Sequence, residues 1–304
     1  MNDKEKYTDP TLKDLIKIIW NSKISLISIT AIVSICGVVY ALSLPNIYKS
    51  SAVLAPVTSQ QGSQSAMRAF GSLSSIAGIN LPSPDASPSD EGLEIMESFS
   101  FFEELAKNEN LIPNLMAVSY WNFERNEIIY DSDIYIIDEK KWVRDYIPPR
   151  KQIPSNQEAF EIFKDSFSVE VDDESSFVTI SFSHESPYFA RDVLDLIILN
   201  INNLIREKEK QKAEISIDFL NNQLAKTNLT EVKQVISSLI QNEVQTIMLA
   251  EASPDFVFKV LDKPVVSELK DGPRRSVIAI ISTFLGFFIG IFSILFRYIL
   301  IRLK

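Results

Sequence analysis

The stretch SVIAIISTFLGFFIGIFSILF, residues 276–296, contains no charged side chain and decides the kind of fold. A second uncharged stretch runs from Ile24 to Tyr48. A helix of about 21 residues is roughly 31 Å long, which matches the roughly 30 Å hydrocarbon core of a bilayer. A soluble core helix seldom stays apolar on every side over that length. The two stretches therefore predict transmembrane helices at residues 24–44 and 276–296.

Each stretch has an alternative interpretation. The first could be a cleaved signal peptide, because Ala41 and Ser43 weakly resemble a cleavage site. However, 23 residues precede it, and it is longer than the usual apolar segment of about 7 to 15 residues. The second could be a buried hairpin helix. Two transmembrane helices remain the favoured prediction.

The distribution of basic residues predicts the orientation. Five lysines precede the first stretch, and three basic residues with no acidic residue follow the second. Arg274 and Arg275 weaken this asymmetry without reversing it. Cytoplasmic segments are enriched in Lys and Arg. We therefore expect residues 1–23 and 297–304 to be cytoplasmic segments, with residues 45–275 on the opposite side of the membrane.

The region between the two helices is acidic, with a net charge of about −14. Binding to nucleic acid requires clustered cations against phosphates, so this charge argues against a nucleic-acid partner. The only cysteine, Cys36, lies within the first uncharged stretch. No intramolecular disulfide can form, and the region must be stabilised by packing or assembly.

The region between the helices mixes strand and helix patterns. Residues 47–57 and 256–266 read as strands, and they could pair because each adjoins a transmembrane helix. Residues 58–92 are rich in Ser, Gly, Pro and Gln and predict a long mobile loop. Residues 91–108 carry apolar side chains at helical spacing and predict a helix. We expect an α+β domain.

A helix and a hairpin are predicted further along the chain. Ser155 and Glu158 form a capping-box pattern, which predicts a short helix through Lys164. Residues 167–171 and 177–182 alternate apolar and polar side chains and predict a β-hairpin. Its turn holds three acidic residues, Asp172, Asp173 and Glu174. We interpret them as a solvated turn and not as a metal or catalytic cluster.

Residues 187–252 contain no proline after Pro187 and no glycine, and their apolar residues follow a helical period. Ser186 and Pro187 form a good helix start. A single helix of this length would extend about 99 Å, against a diameter of roughly 45 Å for a compact domain of this size. Even with a break near residues 226–230, the first helix would be about 60 Å long. We expect a helical arm that protrudes from a membrane-proximal base and packs in a homo-oligomer.

The sequence contains no recognisable catalytic motif. There is no P-loop, nucleophile elbow, HExxH or CxxC pattern, and His184 is the only histidine. We interpret His184 as structural. The terminal segments of 23 and 8 residues are too short for a kinase domain. We therefore predict no enzyme activity, no catalytic residues, no metal and no cofactor.

Two features are candidate functional sites. Gly286 and Gly290 form a GxxxG pattern, where missing side chains let a neighbouring helix approach closely. Glycines are common in membrane helices, so the pattern alone leaves this contact open. Pro264, Pro273 and Arg274 lie in the proline-punctuated segment that leads into the second helix. The alternative for that segment is a stiff linker.

Several segments carry a family resemblance. They are LKDLIKIIW (12–20), YKSSAVLAP (48–56), SFVTISFSHESPYFARDVLDLIILNINNLIREK (176–208), TIMLAEASPDFVFKVLDKPVV (246–266) and DGPRR (271–275). Together with KKWVRD and IPSNQEAFEIF in the middle, they resemble the Wzz chain-length determinants, the polysaccharide co-polymerases of Gram-negative O-antigen synthesis. The resemblance covers nearly the whole chain.

The resemblance implies a function without catalysis. It implies a periplasmic α+β base with a long helical arm, a ring-like homo-oligomer in the inner membrane, and control of the modal O-antigen length. The implied partners are a Wzy-type polymerase and the lipid-linked polysaccharide. The family's proline-rich segment before the second helix corresponds here to Pro264 and Pro273, but Glu268 stands where a further proline is often found.

Two alternatives follow from the same features. A co-polymerase for capsule, enterobacterial common antigen or exopolysaccharide would share the architecture with two membrane helices. A periplasmic receptor with two anchors would need cytoplasmic output machinery, which 8 trailing residues do not supply. The co-polymerase for O-antigen is the favoured prediction.

Overall fold

In a computed structural model of the chain, the residues described are 20–57 and 88–302. Most of the predicted N-terminal segment 1–23, most of the predicted loop 58–92 and the last two residues lie outside this range. The chain divides into two units. The helix-pair unit contains the described parts of Met1–Ile47 and Lys270–Lys304, and the α+β unit contains those of Tyr48–Leu269.

Helices and strands follow one another in a mixed order, which confirms the predicted α+β class. In chain order they are α1 (Lys23–Ser43), β1 (Tyr48–Pro56), α2 (Pro88–Met96), α3 (Phe99–Leu105), α4 (Leu111–Met116), β2 (Val118–Asn122), β3 (Glu127–Tyr130), β4 (Tyr135–Ile136), β5 (Lys141–Trp142), α5 (Asn156–Ser166), β6 (Phe167–Val171), β7 (Val178–His184), α6 (Pro187–Lys226), α7 (Thr230–Ala252), β8 (Phe258–Asp262) and α8 (Arg275–Arg302).

The α+β unit is built on an antiparallel sheet with the order β6-β7-β1-β8. β1 pairs with β7 from Tyr48 opposite His184 to Leu54 opposite Val178, and it pairs with β8 on its other side. The predicted pairing of the strand after the first apolar helix with the strand before the second is therefore confirmed. Every second side chain of β1 is buried, as expected for a strand with one face on the core; these are Ser50, Ala52 and Leu54.

Helix α6 begins on this sheet and completes the hydrophobic core. The Ser186 side chain accepts a hydrogen bond from the Phe189 backbone N–H at 3.3 Å, so it caps the helix as predicted. Large aromatic residues from α3, α5 and β7 fill the space between helix and sheet. They are Phe101, Phe102, Phe163 and Phe182, all at most 1% exposed. At about 25 cal/mol per Å² of buried apolar surface, such side chains dominate the stability of the unit.

The predicted helix at residues 91–108 is wrong in its extent. The chain forms two helices, α2 and α3, and α2 begins at Pro88, inside the segment predicted as a loop. The cause of the break is Ser98, whose side chain accepts a hydrogen bond from the Phe101 backbone N–H at 3.2 Å and starts a new helix. Apolar residues recur at every third position on both sides of Ser98, so this spacing did not indicate the break between α2 and α3.

The other predicted elements of the unit are present. Ser155 caps α5 through the Glu158 backbone N–H at 3.3 Å, and β6 pairs with β7 as a hairpin. In the turn between these strands, Asp172 accepts backbone hydrogen bonds from Glu174 and Ser175. These bonds stabilise the charged carboxylate, and the bond from the Ser175 N–H has the largest effect. They hold the pKa of Asp172 below its usual range.

The helical arm consists of α6 beyond Ile205 together with α7. α6 has 40 residues and is therefore about 60 Å long. Ile205 is the last residue of its regular buried face, and beyond it only Ala213 is buried in α6. α7 runs back antiparallel to α6, with Lys210 Nζ 2.9 Å from Glu251 Oε1 and Ser216 Oγ 3.0 Å from Glu243 Oε1.

One buried amide connects the inner part of α6 to the backbone that enters β8. Asn202 on α6 is 3% exposed. Its Oδ1 accepts hydrogen bonds from the backbone N–H groups of Val257 and Phe258 at 2.8 and 3.0 Å, and its Nδ2 donates to the Phe258 carbonyl at 3.1 Å. The side chain therefore binds the backbone where the chain returns from α7 into β8.

We expect Asn202→Leu to lower the free energy of unfolding by about 2 kcal/mol or more, because a buried backbone N–H without an acceptor costs about 1–3 kcal/mol and two would lose theirs. Denaturant unfolding of the purified protein measures the change. The matched control is Asn222→Leu on the same helix, since Asn222 is exposed and its side chain donates to the Asp218 carbonyl of its own helix. Equal stability of the two variants would contradict the role of Asn202.

Candidate functional site

The first candidate site is the seam between α1 and α8. Both helices are long and apolar enough to cross a membrane, and few of their side chains are buried within the chain. A core helix of a soluble protein would be mostly buried, so the exposed apolar surface favours membrane helices. The two helices run antiparallel within one chain, as the residue pairs along their seam show.

Gly286 and Gly290 both face α1. A Cβ atom placed on Gly286 would lie 2.9 Å from Val33 Cβ and 3.2 Å from Thr30 Cα, and one on Gly290 would lie 2.7 Å from Leu26 Cδ1. Real Cβ atoms essentially never make contacts shorter than 3.0 Å, and a contact of 3.2 Å is tighter than most of theirs. Both glycines therefore allow a close approach between two helices of the same chain. Their importance for function stays a prediction.

Sequence reasoning missed the partner residues on α1. A Cβ atom on Gly37 would overlap the Ser282 side chain, and Ser34 Oγ donates to Thr283 Oγ1 at 3.0 Å. Thr30, Ser34, Gly37 and Ala41 follow one another at helical spacing along the seam. That run of small residues in the first uncharged stretch was the signal that could have predicted the contact.

Arg275 closes the seam at one end, and the sequence interpretation overlooked this role too. Its Nε donates to the Ala41 carbonyl at 3.0 Å, and its guanidinium also donates to the Leu44 carbonyl at 3.1 Å and to Asn46 Oδ1 at 3.2 Å. The last carbonyls of a helix have no partner within the helix and carry partial negative charge. Arg275 therefore caps the C-terminal end of α1.

The predicted segment before the second helix is divided between the two units. Pro264 is buried and belongs to the α+β unit, whereas Pro273 and Arg274 belong to the helix-pair unit. Arg274 is exposed. A common role of these three residues stays a prediction.

The second candidate site is the surface of the helical arm. Ile215 and Phe219 on α6 and Met248 on α7 are 60–64% exposed. Ile215 and Phe219 are four residues apart and so lie on one face of their helix. An exposed apolar surface of this kind is typical of a contact with another protein.

His184 is buried as predicted for a structural residue, with 3% of its surface exposed. Its Nδ1 accepts a hydrogen bond from the Ser186 backbone N–H at 3.0 Å, which places the proton on Nε2, where the Asn114 carbonyl accepts it at 2.8 Å. Burial lowers the pKa of His184, although Glu185 opposes this shift. The neutral ring connects β7 to α4 and holds the residues that start α6.

No group of three or more His, Cys, Asp or Glu side chains converges to hold a metal ion within residues 20–57 and 88–302. The acidic turn at Asp172 is occupied by its own hydrogen bonds to the turn backbone.

Residues 9–109 match the family model described as Wzz, chain length determinant protein. The resemblance to the Wzz family is confirmed. The Wzz match covers about a third of the chain and includes α1, β1, α2 and α3. It therefore contains one helix of the seam and one of the two inner strands of the sheet.

Solved structures give weaker similarities. One is a full-length bacterial polysaccharide co-polymerase, 15% identical, with a TM-score of 0.40, covering 96% of this chain and 99% of that one. Another is a fragment of WzzB, a polysaccharide co-polymerase from Salmonella Typhimurium, 14% identical, with a TM-score of 0.30, covering 75% of this chain and 100% of that one. No curated protein sequence matches significantly. The similarity to the Wzz family therefore rests on the match of residues 9–109.

We expect Gly286→Leu to separate α1 from α8, because the new side chain would overlap Val33 and the Thr30 backbone. Cysteines placed at Ser34 and Thr283, with Cys36 replaced by Ser, report the contact through disulfide formation on oxidation. Phe288→Leu is the matched control, since Phe288 is exposed on α8. A disulfide yield unchanged by Gly286→Leu would contradict the seam, and a disulfide-linked dimer would place the contact between chains.

We expect the protein to lose stability as the pH falls below about 6.5, the ordinary pKa of histidine. His184 has a lowered pKa in the folded state, so the unfolded chain takes up the proton first and is favoured until the pH reaches the lower, folded pKa. Tm values between pH 7.5 and 5 measure the loss. His184→Gln should have a flatter Tm profile, and parallel profiles would contradict this prediction.

Proposed function

We propose that the protein is a non-catalytic regulator of lipopolysaccharide O-antigen chain length, acting on a Wzy-type polymerase. The match of residues 9–109 to the chain length determinant family carries this proposal. The architecture supports it, because the chain contains two apolar helices long enough to cross a membrane and an α+β unit that carries a long helical arm. The protein itself performs no bond-making step in this proposal, and the polymerase supplies the chemistry.

The proposed location is the inner membrane, with both termini in the cytoplasm and the α+β unit in the periplasm. The basic residues at both ends of the chain support this orientation. The α+β unit would then meet the growing, lipid-linked polysaccharide on the side of the membrane where polymerisation takes place.

The proposed assembly is a homo-oligomer formed through the arms. The exposed apolar side chains Ile215, Phe219 and Met248 support it, because burial against a second copy would remove them from water. The seam glycines contact the other helix of the same chain, so neighbours in the membrane would contact the outer faces of α1 and α8. Control of length then depends on how long the assembly keeps the glycan engaged with the polymerase.

We expect deletion of the gene to broaden the lipopolysaccharide ladder on a gel, and the gene supplied in trans to restore a narrow modal band. The double variant Ile215→Asp, Phe219→Asp should fail to restore the band, because its two buried charges would oppose packing of the arms. Glu214→Gln, adjacent on α6, is the matched control, and immunoblots confirm equal protein levels.

An unchanged ladder with an altered capsule, enterobacterial common antigen or exopolysaccharide would assign the protein to that polymer and overturn the O-antigen proposal. Unchanged length distributions for all four polymers would overturn a chain-length function altogether.

A further inference from the structure

Three aromatic side chains from three elements of the α+β unit form a continuous row at its surface. Tyr48 of β1 and Trp121 of β2 meet edge to face with ring centroids 5.5 Å apart. Trp121 and Tyr188, in the first turn of α6, lie 6.0 Å apart at an angle of 47°. Tyr188 is 38% exposed, and the other two rings are partly exposed. We call these three residues the aromatic row.

Polar groups surround the aromatic row. Trp121 Nε1 donates to Asn126 Oδ1 at 3.1 Å. The Arg191 guanidinium lies 5.9 Å from the centre of the Tyr188 ring and donates from Nε to Asp192 Oδ1 at 2.9 Å. Asp195 follows one turn later, where partial burial raises the pKa of its carboxyl group while Arg191 opposes the shift. The row therefore combines flat apolar faces with carboxylate, amide and guanidinium groups.

This combination matches the chemistry of a sugar chain. A pyranose ring presents C–H bonds on its faces and hydroxyl groups around its rim. The negative face of an aromatic ring attracts C–H groups, and carboxylates, amides and guanidinium groups bind hydroxyls. The acidic net charge of the region disfavours polyanionic ligands such as nucleic acid.

We propose that the aromatic row is a binding subsite for a polysaccharide chain. This inference rests on the proposed function, which brings a glycan to the α+β unit, and it names the surface that contacts the glycan. Stacking on rings is tolerant of sugar identity, since most sugars offer a C–H face. The subsite would hold successive repeats weakly and release them as the chain grows.

The row also packs the β2–β3 hairpin against β1 and α6, so a test must separate binding from folding. Tyr188→Leu keeps an apolar side chain at the site but removes the flat ring, whereas Tyr188→Phe keeps the ring. Tyr120→Ala and Phe123→Ala are matched controls. These aromatics belong to the same hairpin and are 52% and 74% exposed, and they lie outside the row. Thermal unfolding verifies that every variant is folded.

The binding experiment uses the full chain in lipid nanodiscs and the polysaccharide of the producing cells, freed of its lipid. Saturation-transfer NMR and titration measure binding. We expect Tyr188→Leu to bind at least tenfold more weakly, which corresponds to about 1.4 kcal/mol, and Tyr188→Phe and both controls to bind like the wild type. No binding by the wild type, or unchanged binding by folded Tyr188→Leu, would overturn the subsite.

Contact with lipid is the competing outcome, because Tyr and Trp also favour the membrane surface. In a Trp20→Phe, Trp142→Phe background, Trp121 is the only tryptophan and its fluorescence reports on its surroundings. Added polysaccharide should change this fluorescence, and brominated lipids in the nanodisc should leave it unquenched. Strong quenching by brominated lipid would overturn the glycan subsite.

Failure of the subsite and failure of the proposed function give different results. If Tyr188→Leu restores a narrow band to the deletion strain and binds glycan like the wild type, the subsite is wrong and chain-length control stands. If the deletion strain itself shows no change in any polymer, the proposed function is wrong whatever the binding experiments give.

Discussion

The buried side chain of Asn202 connects helix α6 to the backbone that returns from α7 into β8. The chain leaves the sheet along α6, turns at residues 227–229 and returns along α7. At the point of return, Asn202 supplies hydrogen bonds to both N–H groups and one carbonyl of Val257 and Phe258. Without these bonds the returning backbone would be buried with unpaired polar groups. The amide therefore stabilises the point at which the chain enters β8, the edge strand next to β1.

Patterns of period and capping predicted the larger elements well. The absence of proline and glycine through residues 188–252, with Ser186 and Pro187 ahead of it, predicted the long helices. Such signals are local, since each depends on side chains a few residues apart. The break at Ser98 was missed although Ser is a common helix cap, because the apolar spacing remained regular on both sides of it.

Features made by distant residues escaped prediction. The GxxxG pattern indicated a close helix neighbour but could not say that the neighbour was α1 of the same chain. Arg275 looked like a perturbation of the charge balance, although it caps α1. The aromatic row brings together residues 48, 121 and 188, whose sequence spacing carries no signal. In each case the residues in contact are far apart in sequence and are brought together by the tertiary fold. A local sequence pattern therefore cannot predict which residues will meet.

The cap that Arg275 provides has a consequence for the order of biosynthesis. Arg275 and Ala41 are 234 residues apart, so at about 5–20 residues per second the ribosome makes the carbonyl groups of α1 roughly 10 to 50 s before the arginine that binds them. Until then, those carbonyls must accept hydrogen bonds from water or from another donor. The packing of the first helix is therefore completed only when the last tenth of the chain has been made, and a truncated product would leave α1 uncapped.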